Sequence, residues 1–310
     1  MLSILTENTS HHPGLGARLV DTVTRPWLRV AVVVMALGVS VWSFDRVPNA
    51  SWEPAFIGLL PWVVGKYLLC PLRWRALTPG AGDGTLRRSW FLRTYAESEL
   101  LGLLTPGHVG ADVWRVHRLT HSGFDRGDAL MSVGADRLVG AAGLTAFVAF
   151  AFPSLPRTML VIAGAVGVGM LLAGVVAHRV RPQLLPRRPL PRPRALLVGI
   201  LLSAGYQLTM ACMLLGAVAA TGHTLSPLAL LGAFGASQVA AAVPGLNGAS
   251  PRDGALVVAL VGLGLPWVAA AAAVALKAIV AWLPALALGG SCLLLHRRQQ
   301  RSAAVAAVAA

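Results

Sequence analysis

The chain has little acid, cysteine or lysine for its size. Of 310 residues, 12 are Asp or Glu and three are Cys, and all but two of the 26 basic residues are Arg. Cys70, Cys212 and Cys292 fall in or beside apolar runs without paired spacing, so neither a disulfide framework nor a zinc site is supported. His11-His12 and the scattered other histidines lack ligand geometry, and no metal is expected. A serine nucleophile elbow, a P-loop and a dinucleotide fingerprint are all missing, so no cofactor and no enzymatic activity are expected. No polar stretch between apolar segments is long enough to house a soluble catalytic domain. Residues 1–25 have neither an apolar core nor a cleavage site, which makes them a retained cytoplasmic segment by expectation rather than a signal peptide.

Apolar residues dominate what is present. Hydrophobic residues make up 56% and charged residues 12%, with a mean hydropathy of +0.68, far too apolar for an ordinary soluble domain. Runs long enough to span a bilayer at about 20 residues each are Pro26–Phe44, Pro54–Leu72, Asp128–Phe152, Thr158–His178, Ala195–Ala220 and Trp267–Leu295. The shorter pieces Ser89–Leu104 and Pro227–Val243 each run into a Pro-Gly motif, as the first arm of a re-entrant hairpin would. Broken backbone at membrane depth survives only where protein or a wet cavity surrounds it.

That motif occurs twice. Pro106-Gly107-His108-Val109-Gly110-Ala111-Asp112 is echoed 138 residues later by Pro244-Gly245-Leu246-Asn247-Gly248-Ala249-Ser250. Gly107, Gly110, Gly245 and Gly248 suit sharp turns and close backbone approach. Each copy is followed by charge (Arg115; Arg252 and Asp253) and then by an apolar stretch with a cation, Arg137 or Lys277. Helix-breaking, charge-bearing elements at matched places in two halves point to a duplicated site at membrane depth.

The net charge of +14 is concentrated in a few polar segments. Arg18, Arg25 and Arg29 flank the first span, and Arg73, Arg75, Arg87, Arg88 and Arg93 follow the second. A Pro-rich connector, residues 179–194, holds six arginines, and Arg297, Arg298 and Arg301 close the last span, whereas the opposite loops hold Arg46 and Arg157. The positive-inside bias puts both termini and the connector in the cytoplasm. Six spans then require that the hairpins, near residues 89–126 and 227–264, enter from opposite sides. The organisation expected is an all-α polytopic protein of two inverted repeats. Its segments are residues 1–25, a first half over 26–178, the connector over 179–194, a second half over 195–296 and a tail over 297–310. No basic stripe is interleaved with exposed aromatics in a soluble domain, so nucleic acid is not expected as a partner.

Charges inside a membrane are costly and mark candidate sites. Around the first hairpin these are Glu97, Glu99, His108, Asp112, Arg115, Asp136 and Arg137; around the second, Gln238, Asn247, Arg252, Asp253 and Lys277. Asp112, Arg115, Asp136 and Arg137 suit ion pairs that lock a hairpin as well as contact with an anionic ligand. Lys66 faces a choice between Glu97 and Glu99. Lys277 has no acid near it on its own apolar run, so its partner is distant or a ligand, and Lys277→Met is expected to spare stability.

The run Leu104-Thr-Pro-Gly-His-Val-Gly-Ala-Asp-Val-Trp-Arg-Val-His-Arg-Leu119, with Gly123-Phe124 and Ala129-Leu-Met-Ser-Val-Gly-Ala-Asp-Arg-Leu-Val-Gly140, resembles the flippase-like transmembrane domain of lysylphosphatidylglycerol synthases. Val243-Pro-Gly-Leu-Asn-Gly-Ala-Ser-Pro-Arg-Asp-Gly-Ala-Leu256, followed by Lys277, is similar to that family's second motif. Arg115, Arg137 and Arg252 match its arginines, Asp136 and Asp253 stand where Glu is usual, and Lys277 replaces an Arg. The resemblance implies an inner-membrane protein that flips or binds a lipid with a phosphate-bearing head group. The head group would be held by Arg115, Arg137, Arg252 and Lys277, with Glu97, Asp112, Asp136, Asn247 and Asp253 in support. The aminoacyl-transfer domain of the synthases is not found, so the chain is not expected to make lysyl-lipid itself. The alternatives are a scaffold or accessory subunit of a lipid-linked glycosyltransferase system and, less favoured, a membrane enzyme acting on polyprenyl phosphates through His108, Asp112 and Asp136. Either a second copy of the chain or a membrane synthase suits the role of protein partner.

Overall fold

The computed structural model describes residues 50–81, 86–103, 108–150, 191–240 and 250–309, with isolated positions at 38, 42, 45–47, 105 and 179. The expected spans at 26–44 and 158–178, most of the basic connector, and Pro106, Gly107, Pro244, Gly245, Asn247 and Gly248 lie outside the described residues.

Every element among the described residues is helical, and there are eight. Helix α1 runs from Glu53 to Leu77, α2 is Arg88–Leu103, α3 Val109–His121 and α4 Arg126–Phe150. Helix α5 is Pro193–Ala220, α6 Pro227–Val239 and α7 Pro251–Gly262; α8 joins Trp267–Pro284, a π-helical turn at Ala285–Gly289 and Gly290–Ala309. The order long–short–short–long therefore occurs twice. Glu53–Leu77, Pro193–Ala220 and Trp267–Gln299 are long and apolar enough to cross a membrane.

Helix starts follow local chemistry. Prolines stand in the first turns of α1, α5, α6 and α7, where a missing N–H costs nothing and the fixed φ suits a helix. Ser226 caps α6 by accepting from the Ala229 amide at 3.2 Å. Ser250 caps α7 in a capping box with Asp253. Helix α1 continues past its expected end at Leu72 to Leu77. It absorbs Pro61 and Pro71 through a wide π-helical turn at Gly65–Leu69, the kind of local unwinding that prolines and functional sites favour.

Close packing rests on small residues. A Cβ on Gly58 of α1 would come within 2.6 Å of the Cys212 carbonyl of α5, and one on Gly216 of α5 would run into the Pro54 carbonyl of α1. Two backbones can approach like that only where a side chain is missing, the usual means of helix association in a bilayer. At the second π-turn, a Cβ on Gly289 would sit 2.6 Å from the Ala96 carbonyl, so α8 presses on α2 at that point.

The two hairpins, α2–α3 and α6–α7, are packed into this frame rather than laid on it. Phe234 of α6 and Leu256 and Leu260 of α7 are buried with Phe147 of α4, Leu214 of α5 and Val274 of α8. The first hairpin is held by Trp74 of α1, Phe91 and Tyr95 of α2, Leu119 of α3 and Ala129 of α4. On α3 the buried positions Ala111, Arg115 and Leu119 are four residues apart and form one face. An arginine in the middle of a buried stripe needs partners, and these define the site.

Candidate functional site

Asp136 is the hub of the first half. It lies in α4 and is 1% exposed. Its Oδ1 accepts Arg73 Nε from α1 at 2.7 Å, and its Oδ2 accepts Arg115 Nη1 from α3 at 2.9 Å. Arg115 Nη2 donates to Asp112 Oδ1 at 2.6 Å, and Arg137 donates to the same carboxylate through Nε at 3.0 Å and Nη2 at 2.9 Å. Arg73 also reaches Ser203 Oγ of α5 at 3.3 Å, and the Arg115 guanidinium lies 5.1 Å from the Tyr95 ring centroid. One line of alternating charge thus ties α1, α4 and α3 together: Arg73, Asp136, Arg115, Asp112, Arg137.

A second pair stands beside it. Lys66, in the π-turn of α1, meets Glu99 of α2 at 2.9 Å, with the Tyr95 and Tyr206 rings near its ammonium at 5.8 and 5.7 Å. Of the two glutamates available by sequence, Glu99 is the partner. His108 caps α3 in the left-handed region, φ 61°, with Nδ1 3.1 Å from the Gly102 carbonyl and Nε2 3.8 Å from Glu99. Gly110 belongs to the same turn: its amide donates to Thr105 Oγ1 at 2.8 Å, and an added Cβ would fall 2.7 Å from that oxygen. Glu97 faces the other way, accepting from Trp114 Nε1 at 3.0 Å and lying 3.2 Å from Arg118 Nε.

In the second half Lys277 Nζ donates to Asp253 Oδ1 at 3.0 Å. Ser250 Oγ donates to Asp253 Oδ2 at 2.6 Å, and Arg252 Nη2 lies 4.0 Å from the same carboxylate group. The two halves therefore share a device: a carboxylate in the first turn after the motif holds a cation of the next long helix, Asp112 with Arg137 and Asp253 with Lys277. Both cations sit about 15 Å along their helices.

The geometry revises two expectations. Of the two possibilities for Lys277, a distant partner or a ligand, the structure supplies the distant partner, Asp253, and the two side chains are 5% and 4% exposed. Lys277→Met therefore leaves a buried carboxylate short of its cation. We expect a loss of about 3 kcal/mol, because breaking one side of a buried pair costs more than the pair contributes. It should appear as a lower melting temperature in detergent, and Lys277→Met/Asp253→Asn should recover part of it. Arg73, expected as a basic flank of its span, is a buried member of the network, 7% exposed. Its signal was available in the spacing. Lys66, Cys70, Arg73 and Leu77 recur at helical intervals on one face of α1.

A family model described as the lysylphosphatidylglycerol synthase TM region matches residues 17–289. The chain belongs to this family. The match runs through both hairpins and every paired charge just described. No curated protein and no solved structure matches the chain. Family membership together with the three long apolar helices makes this a multi-pass membrane protein related to lipid handling. Against that background the accessible cations are the informative ones. Arg115 has both terminal nitrogens bound and is 2% exposed. The Arg137 side chain is 47% exposed and that of Arg252 30%.

Proposed function

We propose that this protein binds the phosphate-bearing head group of an anionic lipid between its two hairpins and passes it from one leaflet to the other. The observation that carries this reading is Arg137. It stands near the middle of a 25-residue helix, its guanidinium half open, yet an arginine at that depth is not left facing hydrocarbon. A wet cavity or an anionic ligand must face it. Asp112 aims it through Nε and Nη2 while leaving Nη1 for a phosphate oxygen, and Arg suits phosphate because it offers parallel donors. Arg252 would bind from the second half. Arg115, Arg73 and Lys277 then act as positioning residues that hold the hairpins through Asp136 and Asp253.

We place the protein in the inner membrane with cytoplasmic termini and the halves inverted, so that rocking one half against the other exposes the site to each leaflet in turn. No catalytic step is assigned.

A scaffold for a lipid-linked glycosyltransferase system is the competing reading, favoured by the burial of Arg115 and Asp136 and by the ion pairs at both terminal nitrogens of Arg115. Leaflet exchange by the purified protein in liposomes separates the two: transport requires exchange of a fluorescent anionic lipid, whereas a scaffold gives none.

A further inference from the structure

Away from the paired charges, the start of α2, the end of α3 and the outer part of α8 enclose a cavity of about 440 Å³. Its polar wall is cationic: Arg87, Arg93 and Arg118, with His296 beside them, against a single carboxylate, Glu97. That carboxylate is already engaged by Trp114 and Arg118. Among the described residues Arg87 and Arg93 are exposed and make no ion pair. Arg118 is positioned but unsatisfied. Its Nη1 lies 3.2 Å from His296 Nε2 and its guanidinium 5.7 Å from the Trp90 ring. Its buried Nε has no hydrogen bond, although Glu97 is 3.2 Å away. Leu86, Trp90 and Leu295 supply an apolar wall opposite the charges.

We propose that this cavity is a second anion site, binding a phosphate ester at the basic end of the molecule independently of the hairpin site. The chemistry is specific to that class. Three guanidiniums lining one pocket, against a single engaged carboxylate among the described residues, favour a phosphate over a zwitterion, and guanidinium forks bind phosphate oxygens bidentately. The apolar wall takes the ester's carbon body, and the volume lies within the usual range for small-ligand pockets. A phospholipid of the adjacent leaflet and a soluble phosphate ester both carry this group. Because the wall is built from α2, α3 and α8, an occupant bridges the first hairpin to the last long helix.

The test uses the full chain in detergent with native mass spectrometry. Three probes are titrated: phosphatidylglycerol, phosphatidylcholine and glycerol 3-phosphate. Arg87→Gln/Arg93→Gln is the informative variant, since both side chains are exposed and unpaired and their loss should leave folding intact. Wild type and Arg137→Gln should each retain a phosphatidylglycerol or a glycerol 3-phosphate at this site. The double variant should bind that same probe about tenfold more weakly, the effect of losing one or two charge-assisted contacts. Loss for phosphatidylglycerol alone assigns the leaflet as source, and loss for glycerol 3-phosphate assigns solution. The proposal is overturned if the double variant binds both anionic probes as wild type does, if wild type binds neither, or if phosphatidylcholine is retained equally. Failure of the hairpin site alone leaves the double-variant effect standing, so the two assignments are read separately.

Discussion

Asp136→Ala should be the most damaging single substitution in the first half, leaving the purified protein melting on the order of 10 °C lower than wild type. Asp136 is 1% exposed and Arg73 and Arg115 are 7% and 2% exposed. Removing the carboxylate strands two buried guanidiniums at once. Breaking one buried pair costs about 3–5 kcal/mol, a large share of a total stability of about 5–15 kcal/mol, and each kcal/mol moves the midpoint by about 2–4 °C in a domain of this size. Asp136→Asn keeps the shape and one acceptor, so it should fall between. Arg137→Gln, by contrast, removes a half-exposed partner and should cost less than about 1 kcal/mol of stability. A melt followed by tryptophan fluorescence in detergent checks the order Ala, Asn, wild type. Wild-type stability in Asp136→Ala would mean that the network is not what holds α1, α3 and α4 together.

The fold was legible because it is written in apolar length and interruption. Runs broken by Pro-Gly motifs are two-armed by necessity, and the helices α2, α3, α6 and α7 sit where those interrupted pieces lie. The cations at matched positions, Arg137 and Lys277, are likewise in helices of the same rank in each half. Partners were harder to read, for a physical reason. Glu97 and Glu99 are two residues apart and point to nearly opposite sides of α2. Both sides of that helix are buried, so periodicity could not say which side faces Lys66. Asp253 is 24 residues from Lys277 on another helix, where linear proximity carries no information. Arg73 looked like a flank because apolar content ends at Leu72, yet helices end where capping and packing stop them. Trp74, fully buried and donating to Ser132 at 2.9 Å, carries α1 onward.

Transport should depend on Arg137 far more than stability does. Its guanidinium is 47% exposed and bound on one edge by Asp112, so its free donors are what a phosphate would meet. Arg137→Gln removes the charge while keeping a polar side chain, and it should cut leaflet exchange of an anionic lipid about tenfold or more, the effect of losing a charge-assisted contact. Arg137→Lys should keep part of the activity, since a point charge still attracts phosphate. An Arg137→Gln protein that exchanges lipid as wild type does would move the head-group site away from the first hairpin.

The most direct measurement is dithionite quenching of a fluorescent phosphatidylglycerol in liposomes carrying the purified wild-type protein. Protein-free vesicles lose only the outer-leaflet signal. Proteoliposomes should lose nearly all of it, with Arg137→Gln returning the trace to the protein-free level while the protein remains folded and incorporated. Wild-type traces indistinguishable from protein-free vesicles would contradict the transport reading and leave the buried ion pairs with a purely structural role.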